Sequence, residues 1–451
     1  MGVPTAPMVT QRFKDLVTSI SYKKGIPDMR LTYTPHPITD RPAELCRQYV
    51  AGNNPLSGRP MLGEIHDSLT RPPSAEDAKG GYLKREPRPR LLPPATPAQL
   101  TRLFHARGFT DGNAIVLPTE ERVAEMLKAT SRRPDEWVGQ MRAAPPHEAW
   151  YYTVEMVAVS AVMADAKPEY FPTILALASK GVTSLFSSTS SFARMVVVNG
   201  PVAGEIGMNS GIGALGPLSR ANSSIGRAWT LISKNLGASG TPGETYLGSV
   251  GNPLNYNNVC FAENEEGLPG GWNPLHVQKG YRKGDSVVSV FTGWALSNVA
   301  TYIKTPIHQL IRGWLEHFFT FNISSATLIL DPIVAADVAA KGYPSKEAFA
   351  RFLADNTGTP DWVYWENHPR EFEQARGGVE PYARWLAEGP GNVIPVSRFQ
   401  GRRSAQDFIS SAKAPVNPTT IEIVVAGGGT NTFWAGSDFS YVGSASVDSW
   451  R

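Results

Sequence analysis

The chain has 451 residues, 41% hydrophobic and 18% charged, a balance that suits a large globular protein and excludes a disordered one. Lys and Arg (43) nearly match Asp and Glu (40), so the net charge of +3 gives no nucleic-acid footprint. Two cysteines, Cys46 and Cys260, rule out a disulfide framework, have no metal-type spacing, and fit a reducing, cytoplasmic setting.

The first residues, MGVPTAPMVT, lack the basic and apolar regions of a signal peptide, and Ala6 breaks a myristoylation pattern. Residues 1–95 are rich in proline and charge, as in TYTPHPITDRP and REPRPRLLPP. Proline removes backbone donors and restricts the residue before it, so this segment reads as an extended arm without regular elements. Leu31, Tyr33, Tyr49, Leu62, Ile65 and Leu69 would anchor it on the body or on a second subunit, which makes a homo-oligomer the expected assembly. The basic run Lys84–Arg90, broken by prolines, reads as a solvated linker.

From Pro97 the texture changes. PAQLTRLFHARG predicts a short helix ending at Gly108, Ala114–Leu117 a strand, and Thr119 the N-cap of a helix with Glu120 and Glu121 in its first turn. HEAWYYTVEMVAVSAVMADA and KPEYFPTILALASKG are apolar around most of their circumference and predict buried helices. Val154–Ala164, the longest apolar run, is too short to cross a bilayer, so no membrane partner is expected. The β-branched strand MVVVNGP then leads into a loop dense in Gly, Asn and Ser. A helix over Ser219–Leu236 follows, with Ala221, Ile225, Ala228, Trp229 and Ile232 on one stripe. After the acidic CFAENEEG come the strand DSVVSVFTG and the helix TPIHQLIRGWLEHFF. In that helix His308 and His317 stand on opposite sides and read as structural.

The second half echoes the first. Ala114–Thr130 and Ala326–Gly342 share a strand followed at once by a helix, and MVVVNGP and IEIVVAGGGTN share a β-branched strand running into glycine. The expected fold is α/β, with an internal duplication (strand–helix–helix–strand–Gly loop) of pseudo-two-fold symmetry. Residues 96–310 form one half, 311–451 the other, and 1–95 the arm. The two Gly loops would then lie together over a cleft at the strand ends.

Gly211–Gly216 spells GxGxxG, but the strand ends about a dozen residues early and no acid follows at the right distance, so NAD(P) or another nucleotide is not expected. The glycines are instead expected to line a substrate pocket with Asn199, Asn209, Ser210, Gly211, Arg220, Asn222, Gly428 and Asn431, offering donors to an anionic group. Catalysis is assigned to the acidic cluster Glu263, Glu265 and Glu266 with His276, a set able to move protons or to help hold a divalent metal. Cys260, between Val259 and Phe261, reads as a buried inert thiol. HExxH, GxSxG, P-loop and CxxC motifs are absent.

The phrases TDGNAIVLPTEERVAEML, NGPVAGEIGMNSGIGALGP, RANSSIGRA, FAENEE and SASVDSWR together resemble the bacterial UGSC-like (seleno)proteins over most of residues 40–451. The resemblance implies a shared fold and pocket. The family's name implies a Gly-Ser-Cys motif with cysteine or selenocysteine; this chain has no Cys-Gly-Ser-Cys, so thiol redox chemistry is not carried over. The expected function is an enzyme acting on a small polar or carboxylate-bearing molecule by lyase, hydratase or hydrolase chemistry. The alternatives are a metal-dependent enzyme using the same Glu/His cluster, and a non-catalytic oligomeric binding or scaffold protein.

Overall fold

The computed structural model describes residues 4–26, 29–38, 41–72, 89–144, 147–300, 305–318, 325–395 and 421–451. The segment expected to be an extended arm contains regular elements: β1 (Met8–Thr10), α1 (Lys14–Lys23), β2 (Thr32–Thr34), α2 (Ala43–Ala51) and α3 (Met61–Thr70), with β1 and β2 parallel. The prolines sit where they do no harm: Pro42 and Pro60 stand just ahead of α2 and α3, outside their hydrogen-bonded turns. Met61 is fully buried, and α3 packs on α2 and β2. The basic run falls mostly outside the described residues, but Arg90 is not simply solvated, since it donates to Glu155 (2.6 Å) and Glu120 (3.3 Å).

In α4 (Pro97–Ala106) Thr96 and Gln99 form a reciprocal capping box, and in α5 (Glu120–Leu127) Thr119 caps as expected. Between them residues 114–117 are not a strand. Val116 donates one bond to the Met163 carbonyl, and Ile115 and Val116 pack on the helical core without joining a ladder. An apolar run of four can be buried without a sheet partner, which corrects the strand expected there.

The body continues with the hairpin of β3 (Trp137–Met141) and β4 (Trp150–Thr153), then α6 (Val154–Met163), α7 (Phe171–Ser179), β5 (Ala193–Asn199), α8 (Pro201–Glu205), α9 (Arg220–Asn235), β6 (Val259–Ala262), α10 (Leu275–Gln278), β7 (Val287–Gly293) and β8 (Leu296–Ala300). It goes on through α11 (Ile307–Phe318), β9 (Ala326–Leu330), α12 (Pro332–Ala340), α13 (Lys346–Asn356), β10 (Gly358–Pro360), α14 (Asp361–Asn367), α15 (Pro369–Arg376), α16 (Tyr382–Ala387) and β11 (Val393–Pro395). It closes with β12 (Ile421–Val425), β13 (Phe433–Ser437) and β14 (Ser440–Ser446). The class is α/β.

Two four-stranded sheets carry the body, in the orders β6-β5-β7-β14 and β12-β9-β13-β8. Each has one parallel pair (β5 with β6, β9 with β12) followed by two antiparallel pairs. The sheets stack face to face. Met195, Val197, Phe261 and Phe291 of the first meet Ile329, Val424 and Ala435 of the second in one cluster. On the outer face of the first sheet, Val196, Val198, Cys260 and Val288 pack against α6, α7 and α9. Outside the second, Leu328, Leu330, Ile423 and Val425 pack against α11, α12 and α13. The order of layers is therefore helix, sheet, sheet, helix. Strands covered on both sides are mostly apolar and buried throughout, as are all seven residues of β5 and all five of β9 and β12, with Arg194, Asn199, Thr327 and Glu422 as their polar members.

Consecutive strands β7 and β8 belong to different sheets, and so do β13 and β14. The two crossings are tied together, because the amides of Trp294 and Ala295, between β7 and β8, both donate to Asp438 Oδ1, between β13 and β14, at 2.8 and 2.9 Å. Each sheet is thus completed by a strand that starts from the other.

Candidate active site

The C-terminal ends of β5, β6 and β12 come together, and Glu263, the first residue after β6, is the hub. Its side chain is fully enclosed. Oε1 accepts from Lys346 Nζ at 2.5 Å and the Val425 amide at 3.2 Å, while Oε2 accepts from Asn199 Nδ2 at 2.8 Å and the Leu275 amide at 2.6 Å. Four donors occupy its lone pairs. A buried carboxylate held this way joins both sheets, α10 and α13, and has no capacity left to take a substrate proton. The catalytic role expected for Glu263 gives way to a structural one.

Lys346 was not singled out by the sequence, because a lysine opening an amphipathic helix looks solvated. It is 1% exposed and reaches Glu263 across 83 residues of chain. One signal was available: a cation in the first turn of a helix opposes the helix dipole and asks for an anionic partner.

Glu265 lies one turn further out, with its side chain 26% exposed. Glu263–Glu266 is not a strand but a bend and turn, so strand alternation does not sort its side chains. Glu265 Oε1 accepts from Asn199 Nδ2 (3.0 Å) and the Gly200 amide (2.8 Å). Gly200 has φ +82°, and a Cβ there would stand 2.2 Å from the Asp285 carbonyl oxygen, so only glycine delivers this amide. Asn199, expected to touch substrate, is fully buried and spans the two glutamates. Glu266 is exposed.

His276, on α10, is fully buried. Its Nε2 is 3.3 Å from the Lys283 carbonyl oxygen, which can only accept, so Nε2 carries the proton. Nδ1 then faces Glu265 Oε1 at 3.8 Å and has no hydrogen-bond partner. Asn199 Oδ1 is the second buried polar atom here without one. The structure therefore brings Glu265 and His276 together, eleven positions apart, through a tight turn and a short helix.

The two glycine loops meet. The Gly427 amide donates to the Ser210 carbonyl at 2.9 Å, Asn264 Nδ2 donates to the Gly427 carbonyl at 2.9 Å, and Gly428 lies against Ile212. Their polar groups are largely used in holding one another. Asn222, buried, accepts from the Asn209 amide and Ser219 Oγ and donates to the Asn209 and Ala214 carbonyls. Asn209 Oδ1 accepts from the Gly211 amide and its Nδ2 donates to the Ile212 carbonyl. Arg220 points away to Asp165 (2.8 Å), and Asn431 accepts from the Thr432 amide. An anion cradle needs unoccupied donors, and the Gly211, Gly427 and Gly429 amides are each already given to an acceptor within the loops or to Asp331.

Both cysteines are free, Cys46 half-buried and Cys260 buried, and burial pushes the Cys260 thiol up to about 12. Among the described residues no three His, Cys, Asp or Glu are grouped to hold a metal, and no helix is long and apolar enough to cross a membrane.

A family model, the UGSC family, matches residues 1–55, the segment that carries β1 to α2. This is the family that the phrases along the chain resemble, matched here over the N-terminal elements. No curated protein and no solved structure matches the chain.

Proposed function

We propose that this chain is an acid–base enzyme acting on a small polar molecule at the paired ends of the two sheets, with Glu265, held by Asn199 and Gly200, as the proton-transferring carboxylate and His276 as the group that takes its proton on. The observation that carries the reading is the unpartnered Nδ1 of a fully buried histidine 3.8 Å from a carboxylate that solvent reaches. A buried polar atom left unpaired costs about 1–3 kcal/mol, so such atoms are kept where a transient partner is needed. The fixed tautomer leaves Nδ1 as the acceptor side of the ring, able to receive a proton that passes through Glu265 and so to keep the carboxylate basic through a turnover. The substrate class is narrower than the sequence suggested. With Lys346 committed to Glu263 and Arg220 to Asp165, neither cation is left to hold an anion, which favours a neutral polar substrate over a carboxylate. Two free cysteines support placement in a reducing compartment such as the cytoplasm.

The test is deuterium wash-in followed by proton NMR, over a panel of hydroxy, keto and amino compounds and their amides. Glu265→Gln should slow any exchange or turnover of the wild type by about 10²–10⁴-fold with an unchanged melting temperature. His276→Gln should lower kcat while shifting the pH profile. Equal rates for wild type and Glu265→Gln would sink the reading.

A further inference from the structure

A second concave site lies at the opposite end of β5. The cleft has a volume of about 720 Å³ and is walled by Leu185, Pro242, Tyr246, Val250, Pro253 and Tyr256. Asn252 and Asn255, which donate to the Ser191 and Phe192 carbonyls just before β5 and at its threshold, fix that wall to the strand's start. Glu265 is held at the strand's other end, so seven residues of strand, about 20 Å, separate the two sites. The volume is that of a pocket for an organic ligand.

The chemistry of its lining is mostly apolar with one charge to spare. Lys234, in the last turn of α9, reaches the cleft; burial lowers its ammonium and Asp111 raises it. Asp111, which also lines the cleft, is itself taken in a two-pronged pair by Arg227, at 2.8 and 2.9 Å, so its charge is already spent on a second cation. Among the described residues the one hydrogen bond of Lys234 is a long one, 3.4 Å to the Gly240 carbonyl, which leaves ammonium donors unused. Among the described residues no carboxylate pairs with it. The asparagine side chains of the wall are already satisfied, and the Tyr246 hydroxyl donates to Asn255. Tyr256 is 66% exposed and Val250 is 98% exposed, both at the rim of the cleft, where apolar surface is costly to leave bare.

The geometry points to a ligand site for a small organic monocarboxylate with an aromatic body, its carboxylate on Lys234 and its ring between Tyr246 and Tyr256. Lys234, the one cation of the lining, selects one negative charge, the two tyrosines favour a flat apolar body, and the amide-satisfied wall offers little to a sugar or a polyol. This site is distinct from the Glu265 site and does not depend on it.

The probe is 3-phenylpropionate, with 3-phenylpropanamide as its neutral counterpart and inorganic phosphate as a charge without a body, each titrated by calorimetry into the full chain. Phenylpropionate should bind saturably at one site, about tenfold or more tighter than the amide, and phosphate should not compete. Lys234→Met should remove the preference for the acid over the amide. Tyr256→Ala, which deletes an exposed ring, should weaken both and carries the test alone should Lys234→Met not fold. Glu265→Gln should leave all three affinities unchanged. Absence of saturable binding by phenylpropionate, an acid-over-amide preference that survives Lys234→Met, or a Tyr256→Ala protein that binds as the wild type would each overturn the proposal. Loss of binding in Glu265→Gln would overturn the separation of the sites while leaving the acid–base reading standing.

Discussion

The two sheets repeat one order of pairings and end differently. At the first, β5 runs into Asn199 and β6 into Glu263, Asn264 and Glu265; at the second, β9 runs into Asp331 and β12 into Ala426, Gly427 and Gly428. Both Asn199 and Asp331 stand near a proline that opens a helix. Asn199 spends its amide on two carboxylates, and one of these, Glu265, remains within reach of solvent. Asp331 spends its carboxylate on backbone, capping α12 through the Ile333 amide and receiving the Gly429 amide at 3.0 Å. An acid consumed by capping cannot also move protons. The same scaffold position therefore stabilises in one sheet and leaves an acid available in the other, and chemistry is assigned to the first mouth for that reason.

The comparison breaks most severely at Glu263, the joint between the mouths. Glu263→Gln leaves the Lys346 ammonium buried without an anion and should lower the unfolding free energy in urea by about 3–5 kcal/mol. The double change Glu263→Gln with Lys346→Met should recover part of that loss, since it removes the stranded charge. A loss no larger than that of a surface substitution would show that the joint is not structural.

A smaller effect separates the outer faces of the sheets. The first carries a thiol, Cys260 on β6, where the matching strand β12 of the second carries Ile421, Ile423 and Val425. Burial raises the folded thiol from its ordinary 9.0 to about 12, whereas the unfolded thiol ionises near the ordinary value. Stability from this group is therefore full below pH 9.0 and falls as the pH climbs toward about 12. At pH 10 the loss should be about 1.4 kcal/mol relative to Cys260→Val, measured as the difference in urea midpoints above and below pH 9. Matching pH dependences for the two proteins would contradict it. The smallest effect on turnover is expected at the second mouth. Asparagine can still cap α12 through its one oxygen but turns an N–H donor toward the Gly429 amide, so Asp331→Asn should cost about 1–3 kcal/mol of stability while having the least effect on turnover, leaving it as it was. A catalytic loss there comparable to that of Glu265→Gln would erase the distinction between the mouths.

Much of the framework was readable from residues alone. The β-branched runs of β5, β7, β9 and β12 announce strands buried on both faces, and the stripe of α9 is buried where the 3.6-residue period places it. The short strands β6 and β13 were not readable. β13 carries Gly436 within FWAGS, and β6 has four residues, so neither shows a period. The extended reading of residues 1–95 failed because proline density was weighed over the helical spacing of AELCRQYVA and MLGEIHDSLT, which form α2 and α3. At the site, the acidic cluster and His276 were visible as residue types. Their roles were not, because Glu263 is defined by Lys346, 83 positions away, and by strand ends that only the stacked sheets bring together. The loop residues Asn209 and Asn222 looked like ligand donors for the same reason: sequence shows a donor but not the carbonyl thirteen positions off that uses it.

The exchange of edge strands between the sheets sets the order in which the chain can mature during synthesis. β7 leaves the ribosome long before β14, its antiparallel neighbour, and β8 must wait for β13. Until β14 emerges, the first sheet exposes the unpaired edge of β7, an invitation to wrong partners that the nascent chain must keep covered. The segment just after β14 ties it to the helical side, with the Ser449 carbonyl accepting from Arg132 and the Trp450 carbonyl from Thr130. A chain released before β14 would carry a first sheet without its edge strand, so the closure of that sheet depends on a strand that begins from the other.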